Sequence, residues 1–428
     1  MRGIYDSKEY KRSRVAYSAQ CTFEYFVHIL IGDAFLAKLL TSIGVSDSLI
    51  GIISSLITIA FLFQLSSIVL VNRIKNTKRA ALLFSTTSQL FFMCIYIIPM
   101  LSISRTAKTS FAIFFILGAY FANYFIASIL FKWANSYVSP AKRAVFSAKK
   151  EMISLASGMV FTYLAGKLID YFEATNQLNT GFTVIACIIL TLSILNFISL
   201  MLIKGESHER EYHHHTSLRN IAKNTFGNKK FVNVIILTCL WNMAVYMTVG
   251  FLGVYKTNDL LMSLGTIQLI NIAGNMARFL ITKPFGQFSD KHSFVTGMKL
   301  AFFIAAVAFG INMFSAPGRI WPIVIYTVLY AVSMAGTNQN SMNIVYSYVD
   351  ADYFVHASAI KNSIGGIFGF GATLVASKIL ETIQQNGNMV FGFHIYAQQL
   401  LSGISLVIVI IAILFTKFVM EKQEILKQ

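Results

Sequence analysis

Twelve long apolar runs constrain this chain more strongly than any other feature of its sequence. Each run is near the roughly 20 residues that an α-helix needs to cross about 30 Å of hydrocarbon. The runs are continuous rather than alternating, which argues against a lipid-facing β-barrel. Only 12% of the residues are charged, whereas soluble domains average about 25%. The sequence therefore predicts an all-α polytopic membrane protein with twelve transmembrane helices.

The predicted spans are bounded by loops, charged segments and prolines. Each of the five prolines is predicted at or beyond a helix end, where a missing N–H does little harm; Pro284 closes the eighth span. In chain order the spans are 16–45, 48–71, 80–100, 110–136, 148–169, 180–203, 231–255, 263–284, 298–316, 320–343, 357–380 and 398–417.

The net charge of +17 raises the question of a nucleic-acid partner, but the positions of the charges argue against one. With a cytosolic N-terminus, the inner segments hold 27 of the 35 lysines and arginines. This distribution follows the positive-inside rule. It predicts cytosolic termini, a lipid bilayer as partner and no nucleic-acid binding. The absence of any Asn-x-Ser/Thr sequon favours a bacterial plasma (cytoplasmic) membrane.

The sequence offers no motif for a cofactor, a metal or an enzyme. Its four cysteines are solitary and form no CxxC pair. No HExxH, GxSxG or P-loop motif occurs. We therefore expect no cofactor, no metal site and no enzymatic activity, and an ion or solute gradient rather than ATP as the energy source.

The chain matches itself at an offset of 211 residues, where 136–170 aligns without a gap to 347–381. Eleven aligned positions are identical, among them Tyr137 with Tyr348 and Lys150 with Lys361. Chance matches between apolar runs rarely align identical tyrosines and lysines at equivalent positions. The repeat predicts two six-helix halves in parallel orientation, as found in secondary transporters with a substrate site near the midplane.

The predicted organisation follows from this repeat. Residues 1–203 form the first half and 231–428 the second. The basic segment 204–230 is predicted to be a cytosolic linker, with a lateral amphipathic helix over 217–231.

The octet 286–293, "GQFSDKHS", is a short charged stretch between two apolar spans. Gly286, Asp290, Lys291 and Ser293 satisfy the pattern Gly-x-x-x-Asp-(Arg/Lys)-x-(Gly/Ser). Through this motif, the topology and the repeat, the chain resembles the major facilitator superfamily. The resemblance implies that the glycine permits close helix approach and that the acid sits against a helix N-terminus or a cation. Such a contact latches the cytosolic side shut until the halves rock.

The corresponding segment of the first half, "VLVNRIKNTKR", retains only Asn72 and Arg73 as counterparts of this motif. The acid and the first glycine are missing there. For the second-half octet the alternative is an ordinary solvated charged turn.

The first predicted span carries several ionisable residues. Placing a charged side chain at the bilayer centre costs roughly 2.5–3.5 kcal/mol, so such residues usually have a functional or structural role. On a continuous helix Glu24, His28 and Lys38 share one face, whereas Asp33 points away. Glu24 and His28, one turn apart, are candidates for proton coupling. The alternative is a simple pair near the cytosolic interface.

The eighth span carries a polar stripe of Gln268, Asn271, Asn275 and Arg278. Such a stripe should face water or another polar helix rather than lipid. Arg278 is a candidate to bind an anionic group or to pair with Glu24; the alternative is snorkelling to the cytosolic interface.

Two further helices offer polar side chains for a cavity. The fourth span presents Tyr120, Asn123 and Tyr124, and the tenth presents Asn338 and Asn340. Aromatic and amide side chains together suit a neutral polar solute, although tyrosines in spans also serve as packing or interface anchors.

These features predict secondary-active transport of a small solute by alternating access, with the proton as a candidate coupling ion. The expected protein is a monomer. A non-transporting membrane receptor or assembly partner that retains the fold is the alternative. The sequence leaves the identity of the solute open.

Overall fold

The computed structural model describes residues 7–70, 76–139, 143–204, 226–349, 354–390 and 392–422. These residues are almost entirely helical. The α-helices, numbered here in chain order, are α1 Lys8–Leu30, α2 Asp33–Ser42, α3 Asp47–Ser54, α4 Leu56–Leu70, α5 Thr77–Ile97, α6 Arg105–Asn135, α7 Arg143–Ala174, α8 Leu178–Leu202, α9 Lys229–Val254, α10 Leu264–His292, α11 Phe294–Asn312, α12 Trp321–Tyr348, α13 Phe354–Gln385 and α14 Ala397–Phe415.

Every predicted span coincides with one of these helices or with a consecutive pair of them. Eight helices in the described part of the chain are long and apolar enough to cross a membrane. A 3₁₀ turn, Ile98–Met100, extends α5, and π-helical turns extend α9 through Tyr255–Asp259 and α14 through Thr416–Met420. The hairpin of β1 (Met389–Val390) and β2 (Phe393–His394) was not predicted. The predicted all-α membrane architecture is confirmed.

The first span is not the single helix that the sequence predicted. It breaks between α1 and α2, where Gly32 is extended and Asp33 has a φ of 44°. An extended residue followed by a left-handed one interrupts the helical hydrogen bonds, so helical phase does not carry from Glu24 to residues beyond the break. Lys38 accordingly leaves the predicted Glu24 face and pairs with Glu173 of α7.

The eighth span also differs from its prediction, because the helix continues through Pro284 to His292. Gly286, Asp290 and Lys291 are therefore helical rather than part of a turn. Proline removes one N–H donor within a helix, and here the residue is exposed. The octet ends where Ser293 caps α11 by accepting a hydrogen bond from the Thr296 N–H at 3.0 Å.

The chain divides into two compact units. The first unit comprises Met1–Val45, Phe63–His213 and Ser263–Gly265. Within it, α1 packs on α7 and α8, and α5 packs on α6 and α8. Tyr17, Trp133 and Tyr137 are buried in one cluster of this unit.

The end of α8 is tied to the start of α1 within the first unit. The Lys204 N–H donates to Ser13 at 3.0 Å, and the Lys204 amine lies 2.6 Å from the Glu9 carboxylate. The hydrogen bond and charge of Lys204 hold the pKa of Glu9 below its ordinary value. The contact places both helix ends on one side of this unit, as the predicted topology requires.

The second unit comprises Ser46–Leu62, His214–Met262 and Thr266–Gln428. Here α9 packs on α13 and α14, and α11 packs on α12 and α14. α3 clusters with α9 and α13 in this unit, although the sequence assigns it to the first half.

Glycines explain how closely α13 packs in the second unit. A side chain at Gly365 or Gly369 would meet Asn242 of α9, and one at Gly366 would meet the backbone of Thr58 in α4. Small residues four apart are a common means of close helix approach in membranes.

Candidate functional site

The predicted proton-coupling acid lies in a polar cluster of the first unit. The Glu24 carboxylate of α1 accepts a hydrogen bond from the Gln20 side-chain amide at 2.8 Å. It also accepts one from the Asn123 amide of α6. Gln20 is fully buried. Two neutral amides thus hydrogen-bond this carboxylate, and none of the ion pairs among the described residues involves it.

An aromatic wall adjoins this carboxylate. Phe92 of α5 contacts the His28 ring edge-on at 5.3 Å between ring centroids, and the Tyr120 ring at 5.5 Å. The rings of Tyr120 and Tyr124 lie 6.3 Å apart. The structure therefore brings together the candidates from the first and fourth spans.

His28 is not joined to Glu24 by a hydrogen bond within the described residues. The Glu24 carboxylate accepts its hydrogen bonds from the Gln20 and Asn123 amides. The His28 imidazole packs edge-on against the Phe92 ring. A shared proton between the two side chains remains a prediction.

Sequence reasoning overlooked Lys150 as a member of this cluster. Its amine lies 4.9 Å from the centroid of the Tyr17 ring. Lys150 and Glu24 are both within electrostatic range of the Cys21 thiol. The sequence placed Lys150 among the charges of an inner segment. Its match to Lys361 in the repeat was the signal that both lysines belong to equivalent helix positions.

In the second unit, the polar stripe of α10 is partly satisfied within its own helix. The Asn271 amide donates to the buried Gln268 side-chain oxygen at 3.1 Å. Asn275 and Arg278 are half-buried. Arg278 lies within electrostatic range of Tyr330 in α12. The stripe therefore lines a partly accessible face of this unit.

The structure separates the two candidates of the tenth span. Asn338 is exposed, whereas Asn340 is fully buried and donates to the Gly336 carbonyl at 2.9 Å. Residues two apart on a helix point about 200° apart. Asn338 and Asn340 therefore do not line one surface.

Lys361 is the second residue that sequence reasoning missed. It lies two turns inside α13, is 4% exposed and donates to the Ser341 hydroxyl of α12 at 2.8 Å. Among the described residues no carboxylate pairs with it. A buried lysine in a membrane span is expensive, and such residues are usually functional.

Three motif residues of the octet, Gly286, Asp290 and Lys291, differ in their exposure to solvent. Gly286 is buried, and a side chain there would meet the Gln339 amide of α12. Asp290 and Lys291 are exposed at the end of α10. Asp290 forms no ion pair among the described residues. Asn72 and Arg73, the predicted first-half counterparts, lie outside the described residues.

Comparison with known families decides the class of the protein. A family model for the Major Facilitator Superfamily matches residues 23–375. The chain belongs to the Major Facilitator Superfamily. This membership confirms the resemblance and the two-repeat, twelve-helix fold class drawn from the sequence. It also establishes the protein as a multi-pass membrane transporter whose partners are a bilayer and a small-molecule solute.

Solved structures of several transporters share the fold at low sequence identity. A mutant of the nucleoside transporter NupG aligns with a TM-score of 0.75 and 12% identity, covering 95% of this chain and 99% of that one. The POT family transporter PepTSo gives a TM-score of 0.68 at 10% identity, over 96% and 98%. A bacterial homologue of the iron transporter ferroportin, in an inward-facing state, gives 0.65 at 13% identity, over 96% and 98%. Comparison with curated proteins gives no significant match.

Proposed function

We propose that the protein is a proton-coupled permease that carries a small polar solute across the plasma membrane by alternating access. The two halves, 1–203 and 231–428, rock about the linker 204–230, and both termini lie in the cytosol. The working unit is a monomer. The observation that carries this proposal is the Glu24–Asn123 hydrogen bond beside an aromatic wall.

The coupling role follows from how Glu24 is held. An acid within a predicted span costs roughly 2.5–3.5 kcal/mol when it is charged at the bilayer centre. Here the hydrogen bonds come from the neutral Gln20 and Asn123 amides. In the proposed cycle Glu24, which is held by neutral partners rather than by an ion pair with a described residue, carries the coupled proton. His28, one turn away, can relay that proton.

We expect Glu24→Gln to abolish proton-driven accumulation of solute while leaving solute exchange intact. Glutamine keeps hydrogen-bonding capacity but cannot titrate. Accumulation in proteoliposomes under an inward proton gradient should fall at least about tenfold, in line with the 10²–10⁴-fold contribution of positioned proton-transfer groups.

The matched control is Glu151→Gln, which removes an exposed acid of α7 in the same unit. It should leave accumulation unchanged. Accumulation that survives Glu24→Gln would assign coupling to another group.

The solute is proposed to be polar with a flat ring. We propose that the solute packs beside the neighbouring Tyr120 and Tyr124 rings and the Glu24–Asn123 pair. Nucleosides are the first solutes to test, because NupG carries them and shares the fold. Arg278, with Gln268, Asn271 and Asn275, is proposed as the face that the second half presents to the solute.

The first test measures uptake of nucleosides, sugars, peptides and organic acids into proteoliposomes, together with thermal unfolding of the purified protein. A bound solute at one hundred times its dissociation constant stabilises the native state by about 2.7 kcal/mol. Stabilisation together with flux supports the proposal. Stabilisation without flux for any solute would support the non-transporting receptor instead.

The latch is proposed to form when Asp290 meets a helix N-terminus or a cation. We expect Asp290→Asn to lower uptake about fivefold without affecting folding, because the carboxylate contributes about 1 kcal/mol to such a contact. Uptake and thermal unfolding measure the two effects separately. Glu381→Gln, an exposed charge change in the same unit, is the control. Normal uptake by the Asp290 variant would identify the octet as a solvated helix end.

A further inference from the structure

A small cavity lies within the second unit, between the end of α9 and the facing ends of α13 and α14. Its volume is about 10 Å³, enough for one water molecule or one bare ion. Its polar lining comes from Asp259 on the π-helical turn after α9, Gln384 and Asn388 at the end of α13, and Gln398 at the start of α14. The residues that line this small space thus include one acid and three with side-chain amides.

Gln398 points an unused acceptor into this region. The side chain is 1% exposed, and its amide nitrogen donates to the Thr248 carbonyl at 3.1 Å. Its side-chain oxygen has no hydrogen-bond partner in the described residues. A buried acceptor without a donor costs about 1–3 kcal/mol, so a ligand that supplies positive charge is expected there.

Asp47 of α3 orients a second amide of the cavity. Its carboxylate accepts hydrogen bonds from the Gln384 amide at 2.8 Å and from the Asn258 amide at 2.9 Å. Because the Gln384 nitrogen is directed to Asp47, its oxygen is the end left for the cavity. Partners that orient a ligating group in this way are typical of metal sites.

Two acidic side chains, Asp259 and Asp47, lie at or beside the cavity. The carboxylates of Asp47 and Asp259 lie close enough to repel each other, and neither forms an ion pair among the described residues. Lys256 is buried on the same π-helical turn but does not line the cavity. The C-terminus of α13, at Gln385, adds partial negative charge.

We propose that this cavity binds a hard metal cation, Na⁺ or Ca²⁺, through Asp259 and the amide oxygens of Gln384, Asn388 and Gln398. Carboxylate and amide oxygens are the ligands that such cations prefer. The sequence predicted no metal, and the described residues contain no group of three or more His, Cys, Asp or Glu side chains suited to one. Amide oxygens would supply most of this site, which explains why it has no cluster of His, Cys, Asp or Glu side chains.

The test uses the purified full chain in detergent and does not depend on transport. Thermal unfolding is measured against NaCl, KCl, CaCl₂ and MgCl₂, with choline chloride matching the ionic strength. Equilibrium binding of ²²Na⁺ and ⁴⁵Ca²⁺ gives the stoichiometry and the dissociation constant. We expect saturable stabilisation by Na⁺ or Ca²⁺ with about one ion per chain, and the two isotopes identify which ion binds.

Three variants locate the ion. Asp259→Asn should raise the dissociation constant more than about tenfold, and Asp47→Asn should raise it by about tenfold through loss of orientation. Gln398→Leu removes the unused oxygen without changing the charge of the site. It provides an independent test of the same cavity if either acid variant fails to fold. The matched control, Glu381→Gln, removes a charge one turn from Gln384 and should leave binding unchanged.

Two results would overturn the proposal. One is an unfolding temperature that responds to none of the four metal salts beyond choline, which would mean that the cavity holds water only. The other is ion binding that persists unchanged in the Asp259 and Gln398 variants, which would place the ion elsewhere. Either result leaves the transport proposal standing, because that proposal rests on Glu24 and the aromatic wall.

Discussion

Replacing Lys361 with methionine is expected to lower solute transport about 10- to 100-fold while the protein stays folded and becomes more stable. The amine has one described acceptor, the Ser341 hydroxyl, and no paired carboxylate among the described residues. An ammonium group offers three donors, so we propose that the remaining donors bind the solute during the transport cycle. Loss of a hydrogen bond from a charged group costs about 1.5–3 kcal/mol, which corresponds to the expected fall.

The stability effect has the opposite sign. Replacing a buried charge that has no paired carboxylate with an apolar side chain of similar size removes a desolvation penalty of several kcal/mol. The lost Ser341 bond reduces this gain by about 1 kcal/mol. Uptake in proteoliposomes and thermal unfolding in detergent report the two effects.

The control is Lys378→Met, which removes a lysine that is 76% exposed on the same helix. It should change neither transport nor stability measurably. A Lys361 variant that transports at the normal rate would show that the buried amine only supports the fold.

Replacing Gly366 with alanine is expected to destabilise the second unit by about 2 kcal/mol. A side-chain carbon at this position would meet the backbone carbonyl of Thr58 in α4. A neighbouring backbone cannot rotate away as a side chain can, so the two helices must separate. Overpacking of this kind typically costs about 1–3 kcal/mol. The same helices are joined by the Ser363 hydroxyl, which donates to the Phe61 carbonyl at 3.0 Å, and separation would weaken that bond too.

Gly371 provides a control on the same helix. A side-chain carbon added there meets nothing within 4 Å. Gly371→Ala should therefore be neutral or stabilising by up to about 1 kcal/mol, through helix propensity alone. Equal effects of the two alanines on thermal unfolding would contradict the packing explanation.

The sequence predicted the helices well because hydrophobic length and loop charge are local properties. The breaks were less visible. The interruption at Gly32 depends on the backbone conformation of Gly32 and Asp33, and the continuation through Pro284 depends on what surrounds the end of α10. Hydropathy does not predict either feature, because it is averaged over about 20 residues, whereas the helix break and the proline each involve one or two residues.

The sequence by itself determined the membrane class, the spans, the internal repeat and the family, because these depend on composition, on order along the chain and on short motifs. Only the tertiary structure decided which polar side chains meet. Glu24 and Asn123 are 99 residues apart in sequence, and Asp47 and Gln384 are 337 apart. Helical periodicity predicts on which side of a helix a side chain lies, but not which residue of another helix it meets there. That neighbour is set by packing between distant helices, where glycines such as Gly366 fix the approach.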